Sequence, residues 1–164
     1  MSETHDEPLE SDDDTVAGRP AVFRPWAAPA RVSPRALRAA RHFAEAFFAT
    51  SEGPPPAERL DWMERELDDF LGRAGGRGRG TFRLALFAIT WGAPLFVGRL
   101  GPLGRLAIAD RVHALETFES IPGLGLALFL VRAIVSIVYY EHPDAARDIG
   151  WDQACLGAPV ERAS

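Results

Sequence analysis

The sequence contains no lysine; all 18 basic residues are arginine, which reads as the composition bias of a genome rather than a physical requirement. Cysteine is nearly absent too. Cys155 stands alone, which excludes an internal disulfide and a cysteine-built zinc site. The first 32 residues lack the apolar run of a secretory signal and no twin-arginine pair occurs, so the chain by itself reads as cytoplasmic. The net charge of -5 gives no basic balance either. Seven acids fall within residues 1–14, and the rest of the chain sets 16 acids against 18 arginines, close to neutral. Without a basic face, nucleic acid is not an expected partner.

What is present is hydrophobic helix. A chain of 164 residues with 47% apolar content supports one domain with a real core. Residues 1–32, acidic and broken by Gly18, Pro20, Pro25 and Pro29, read as a disordered arm in which only Phe23 and Trp26 offer apolar anchors. Residues 33–152 form the domain and 153–164 a tail. Ser33-Pro34 predicts a capped helix start, with Leu37, Ala40, Ala44, Phe47 and Phe48 as its apolar stripe. Gly53-Pro54-Pro55-Pro56 ends it. A second helix over about Ala57–Leu71 carries Leu60, Met63, Leu67, Phe70 and Leu71 inward and its acids outward. The run Gly75-Gly76-Arg77-Gly78-Arg79-Gly80 reads as a flexible linker, because a phosphate loop would need a preceding strand and a Gly-Lys-Ser/Thr close. Helix three is expected over Phe82–Val97 with Thr81 as cap and a bend at Gly92 and Pro94, helix four over about Leu106–Phe118, and helix five over about Gly123–Tyr140. A short turn or helix runs from Pro143 to Gly150. The class is all-α, a single bundle of about five helices.

Two of these helices raise the question of a bilayer. Leu84–Val97 is short for a span and contains a proline. Leu124–Tyr140 is 17 residues with Arg132 in its middle. Its aliphatic residues would favour insertion by about 3–6 kcal/mol, and a central arginine would cost about 2.5–3.5 kcal/mol, before glycine, serine and the tyrosines add their share. A bundle helix is the better reading, with the 124–140 helix at or in a bilayer as its alternative. Arg132 inside a bundle then needs a partner. Counting outward from a turn at Ile121 sets it opposite Asp110, with Glu116 or an acid on another protein as alternatives.

Little reads as catalysis. His113 and Glu116 lie three apart on one helix, but carboxylate-bridged di-iron bundles need two Glu-x-x-His motifs and two further glutamates. No nucleophile motif accompanies the histidines, and Cys155 has no nearby activating base. No catalytic residue, metal site or cofactor site is therefore assigned to this chain. The remaining feature is Tyr139-Tyr140-Glu141-His142-Pro143 followed by Ile149-Gly150-Trp151-Asp152. Such residues can close the end of a bundle, and the same types anchor interfaces. Tyr139, Tyr140, His142, Pro143 and Trp151 are accordingly the candidate partner-binding residues.

From Phe82 to Asp152 the chain runs FRLALFAITWGAPLF, then Arg111, Leu115, Phe118 and Ser120 along one helix, then a long apolar helix ending YYEHP, and finally IGWD. In this order the chain resembles the small helical subunit (subunit 3) of gluconate 2-dehydrogenase-type complexes, over roughly residues 33–152. It is also similar to the N-terminal helical region of long-chain fatty alcohol oxidases. The resemblance implies a non-catalytic accessory subunit, itself without cofactor. Its partner would be a FAD-dependent flavoprotein of the glucose-methanol-choline superfamily, acting on an alcohol or sugar. Many exported members carry a twin-arginine signal where this chain has its acidic arm. The resemblance thus leaves a periplasmic or membrane-associated complex open beside the cytoplasmic reading.

Overall fold

A computed structural model describes residues 30–151. Most of the acidic arm, with Phe23 and Trp26, and the tail from Asp152 with Cys155 lie outside these residues. The described chain is all-α. Its six α-helices are α1 (Pro34–Phe47), α2 (Ala57–Arg73), α3 (Gly75–Phe96), α4 (Ile108–Glu119), α5 (Gly125–Tyr140) and α6 (Pro143–Asp148), with a 3-10 turn at Leu103–Arg105 ahead of α4. The helix beginning at Pro143 is the sixth, added to the expected five.

Helix α1 starts as the sequence suggests: the Ser33 side chain accepts the Ala36 N–H at 3.3 Å and Pro34 occupies the first turn. Val32, assigned to the arm by composition, is instead buried, and its N–H donates to Asp68 on α2 at 2.7 Å. The paired bonds of a tight turn at Thr50–Gly53 then separate α1 from α2.

The expected linker at residues 75–80 is not a linker. Helix α3 begins at Gly75, separated from the end of α2 by Ala74 alone, and the glycine run forms its first turns. Gly75 itself has a φ of +71°, the left-handed geometry that ends α2 sharply and suits glycine. Thr81, expected as a cap, sits inside the helix and donates its hydroxyl to the Arg77 carbonyl at 3.0 Å. Composition pointed the wrong way here because each interior glycine costs only about 1 kcal/mol. The buried half of the same helix outweighs that. Gly92 serves close approach: a side chain there would crowd the Phe118 ring of α4.

Phe43, Met63, Leu67, Phe82, Leu86, Ile89, Phe118, Val131 and Val135 are among the fully buried side chains. Helix α3 packs against α1, α2, α4 and α5, and α5 packs against α1, α2, α3, α4 and α6, so these two hold the centre. Phe70, expected inside, turns out half-exposed at the end of α2. Phe43, one turn before Phe47, takes a fully buried place in α1 that the sequence reading had not assigned to it.

Candidate interaction surface

Helix α3 buries Phe82, Ala85, Leu86, Ile89 and Ala93. Its other face carries Leu84, Phe87, Trp91 and Leu95 at successive intervals of three and four residues, which is one stripe along a helix. On α5 the inward set is Leu128, Val131, Val135 and Val138, while Leu126, Phe129 and Ile137 face out. Those seven outward side chains are between 47 and 74% exposed. Scattered exposed apolar residues are ordinary on any protein; ordered stripes on two packed neighbours are not. No helix among the described residues is long and apolar enough to cross a membrane.

Arg132 and Asp110 are not a buried pair. The Arg132 side chain is 48% exposed and meets Glu119 at 3.4 Å, while Asp110 meets Arg99 at 3.6 Å. The cause is side-chain direction. A helical side chain leans toward the N-terminus of its own helix, so an α5 residue reaches back toward the α4–α5 turn and meets the last residue of α4 rather than its first turn. Position 132 also lies beside Val131, about 100° of helical rotation away from the core. Its guanidinium sits 4.8 Å from the centre of the Phe47 ring, so an aromatic face replaces the expected carboxylate pocket.

The aromatic end of the bundle divides its residues. Tyr139 is 5% exposed and stacks on Phe48 with ring centres 3.9 Å apart, which makes it core rather than an outward anchor. His142 accepts the Asp144 N–H on Nδ1 at 3.2 Å, capping α6, and sets its ring edge-on to Trp62. Its role is local. Pro143 opens α6 and is exposed. Arg59 on α2 pairs with Asp148 on α6, and that hydrogen bond is the main influence raising its pKa. Tyr140 and Trp151, by contrast, meet across a groove of about 510 Å³ whose other walls include Ile137, Ile149, Ser136 and Glu141. Sequence spacing brought the five residues together on paper; folding buries Tyr139, leaves His142 half-buried as a helix cap and Pro143 exposed, and sets Tyr140 and Trp151 on a groove.

A polar cluster that sequence reasoning missed joins α1, α2, α4 and the 3-10 turn. Arg111 donates to the carbonyls of Leu106 at 2.8 Å and Gly104 at 3.0 Å and to the Glu45 carboxylate at 2.6 Å. Three such bonds from a side chain only 11% exposed pin the turn to both helices. His42 lies over Gly104 so closely that a Cβ there would run into the imidazole. Burial pushes the His42 pKa down, Glu45 opposes this, and the positive charges of Arg111 and Arg41 reinforce it. On α1, Arg41 pairs with Asp61 and, at 3.5 Å, with Glu45. These groups have one another as partners, and their arrangement is that of a structural clamp. His113 and Glu116 are exposed on α4, and among the described residues no group of three or more His, Cys, Asp or Glu side chains could hold a metal ion. A shallow cleft of about 260 Å³ beside Arg99, Asp110 and His113 contains no nucleophile paired to a base.

No family model matches the chain, and searches of curated proteins and of solved structures find no match either.

Proposed function

We propose that this chain is a non-catalytic accessory subunit whose α3 and α5 stripes dock against a larger protein. In the form the sequence resemblance suggests, that protein is a FAD-dependent alcohol or sugar dehydrogenase of the glucose-methanol-choline superfamily. The observation that carries the reading is the pair of uncovered stripes. Seven large side chains at that exposure amount to apolar area on the order of the ~800 Å² per partner of a standard interface. Trp91 and the two phenylalanines are of the types that anchor interfaces. FAD belongs to the partner; this chain contributes surface and stability. Tyr140 and Trp151 adjoin the α5 stripe through Ile137 and extend it toward the end of the bundle. Tyr139 and His142 support that end from within.

The test is co-purification from the native host with an affinity tag, read by flavin absorbance and the identity of the retained protein. A stoichiometric flavoprotein retained by the wild type and lost from the Leu84→Asp/Phe129→Asp double variant supports the reading. A chain that recovers no flavoprotein but sediments with lipid vesicles would replace it with the membrane-surface alternative.

A further inference from the structure

Charge is divided among the helices as unevenly as apolar surface is. Helix α2 carries six acids against three arginines, and α4 carries three acids against one. Helices α3 and α5 hold four arginines, Arg77, Arg79, Arg83 and Arg132, and no acid. Arg132 is engaged by Glu119 and the Phe47 ring, and Arg79 leans on the Gly72 carbonyl at 3.5 Å. Arg77 and Arg83 differ from both. They are exposed, and among the described residues neither forms a salt bridge. Arg77 precedes Leu84 by seven residues, so the two stand within about 20° of one another around the helix. Arg83 adjoins Leu84 at the same end. The outer face of α3 is thus basic over its first turns and apolar from Leu84 to Leu95. A helix lying on a bilayer separates charged from apolar side chains around its axis, because the lipid surface is uniform along it. Separation along the axis suits a surface that is itself patterned, as a folded protein's is.

We propose, resting on the docking reading above, that the protein surface opposite α3 is an apolar patch bordered at one end by carboxylates that receive Arg77 and Arg83. An apolar stripe that repeats every three to four residues offers similar contacts one turn along. Charge-assisted guanidinium–carboxylate pairs at one end fix the register and the direction of docking. The acid-rich α2 and α4 are repelled by the same carboxylates.

The test compares two double reversals of equal charge in the full chain, each measured against the flavoprotein that co-purifies with the wild type. Arg77→Glu/Arg83→Glu alters the proposed contact, and Arg35→Glu/Arg38→Glu alters two exposed arginines of α1. At ~0.1 M salt the first should weaken binding about tenfold or more, and the second by less than about twofold. At ~1 M salt the screening length falls from about 10 to 3 Å, and the first deficit should shrink to within about threefold. Unchanged melting temperatures show that the fold persists, and Arg77→Gln/Arg83→Gln should fall between the wild type and the reversal. Equal losses from the two reversals would assign the effect to net charge and overturn the proposal. Binding that ignores Arg77 and Arg83 while Phe87→Asp/Phe129→Asp abolishes it overturns the carboxylate border alone and leaves the docking reading standing. No retained flavoprotein, or retention unaffected by Phe87→Asp/Phe129→Asp, removes the docking reading and this proposal with it. A wild type that sediments with phosphatidylglycerol vesicles but not phosphatidylcholine ones, and loses this in Arg77→Glu/Arg83→Glu, assigns the two arginines to anionic lipid instead.

Discussion

Helices α1 and α2 differ from α3 and α5 in what their outer faces carry. Outside their core contacts, α1 and α2 present Arg35, Arg38, Glu58, Asp61 and Arg65, and Phe70 is the one large apolar side chain substantially exposed on either. From Leu84 onward α3 carries apolar side chains both inward and outward, and so does α5 apart from Arg132 and Ser136. An amphipathic helix declares its buried face in the sequence, whereas a helix that is apolar all round has more greasy surface than one neighbour can cover. The first pair covers its apolar stripes within this chain; the second pair leaves large apolar side chains uncovered, the surface on which the proposed docking rests.

The largest effect should separate the two faces of α3. Phe82→Ala, which empties a fully buried site, is expected to cost about 3–5 kcal/mol, whereas Phe87→Ala on the outer face should stay within about 0.5 kcal/mol. Chemical denaturation of the isolated subunit measures both. Equal losses would mean that α3 has no free face.

The same comparison holds between two arginines. Arg111→Ala removes three charge-assisted bonds from a clamp that is largely enclosed, and a loss of about 2–3 kcal/mol is expected. Arg132→Ala removes one long, solvent-screened pair and an aromatic contact, and should cost less than about 1 kcal/mol. Thermal melts that rank Arg132 above Arg111 would contradict this ordering.

Glycines at the start of α3 offer a gain rather than a loss. A methyl group at Gly76 or Gly80 would meet nothing within 4 Å, so each change to alanine in these helical turns should stabilise the fold by about 0.5–1 kcal/mol. No gain from either variant, read as an unchanged denaturation midpoint, would return residues 75–80 to the role of linker.

The smallest effect concerns pH. His42 has a folded-state pKa below its ordinary value of 6.5, so the unfolded chain takes up the proton first. Stability tied to this group is present above pH 6.5 and is lost as pH falls from there through the folded value. His42→Leu should flatten that part of the stability profile, as followed by melts at successive pH values. An undiminished slope would place the titrating group elsewhere.

Helix order, the Ser33 cap and the sharp stop after Tyr140 were legible because caps and apolar periodicity act locally. Sidedness was harder. In Tyr139-Tyr140 the two rings point about 100° apart, and only the inward phase set by Val131 and Val135 sends Tyr139 to the core. Asp110 and Arg132 were misjudged because counting outward from a turn ignores the lean of helical side chains. The Arg111 clamp gave no local signal at all, since two of its three acceptors are backbone carbonyls, Gly104 in the 3-10 turn and Leu106 just after it. The resemblance to the gluconate 2-dehydrogenase small subunit concerns partner chemistry, which no spacing of this kind encodes.

Whether the outer faces of α3 and α5 form the proposed docking surface can be read from the affinity of a co-purified flavoprotein for the wild-type subunit and for the Phe87→Asp/Phe129→Asp variant. Both substitutions fall on exposed positions, so the isolated variant should melt as the wild type does. Binding should weaken about 30- to 1,000-fold, the loss of about 2–4 kcal/mol expected when interface anchors are removed. Affinities within threefold of each other would contradict it.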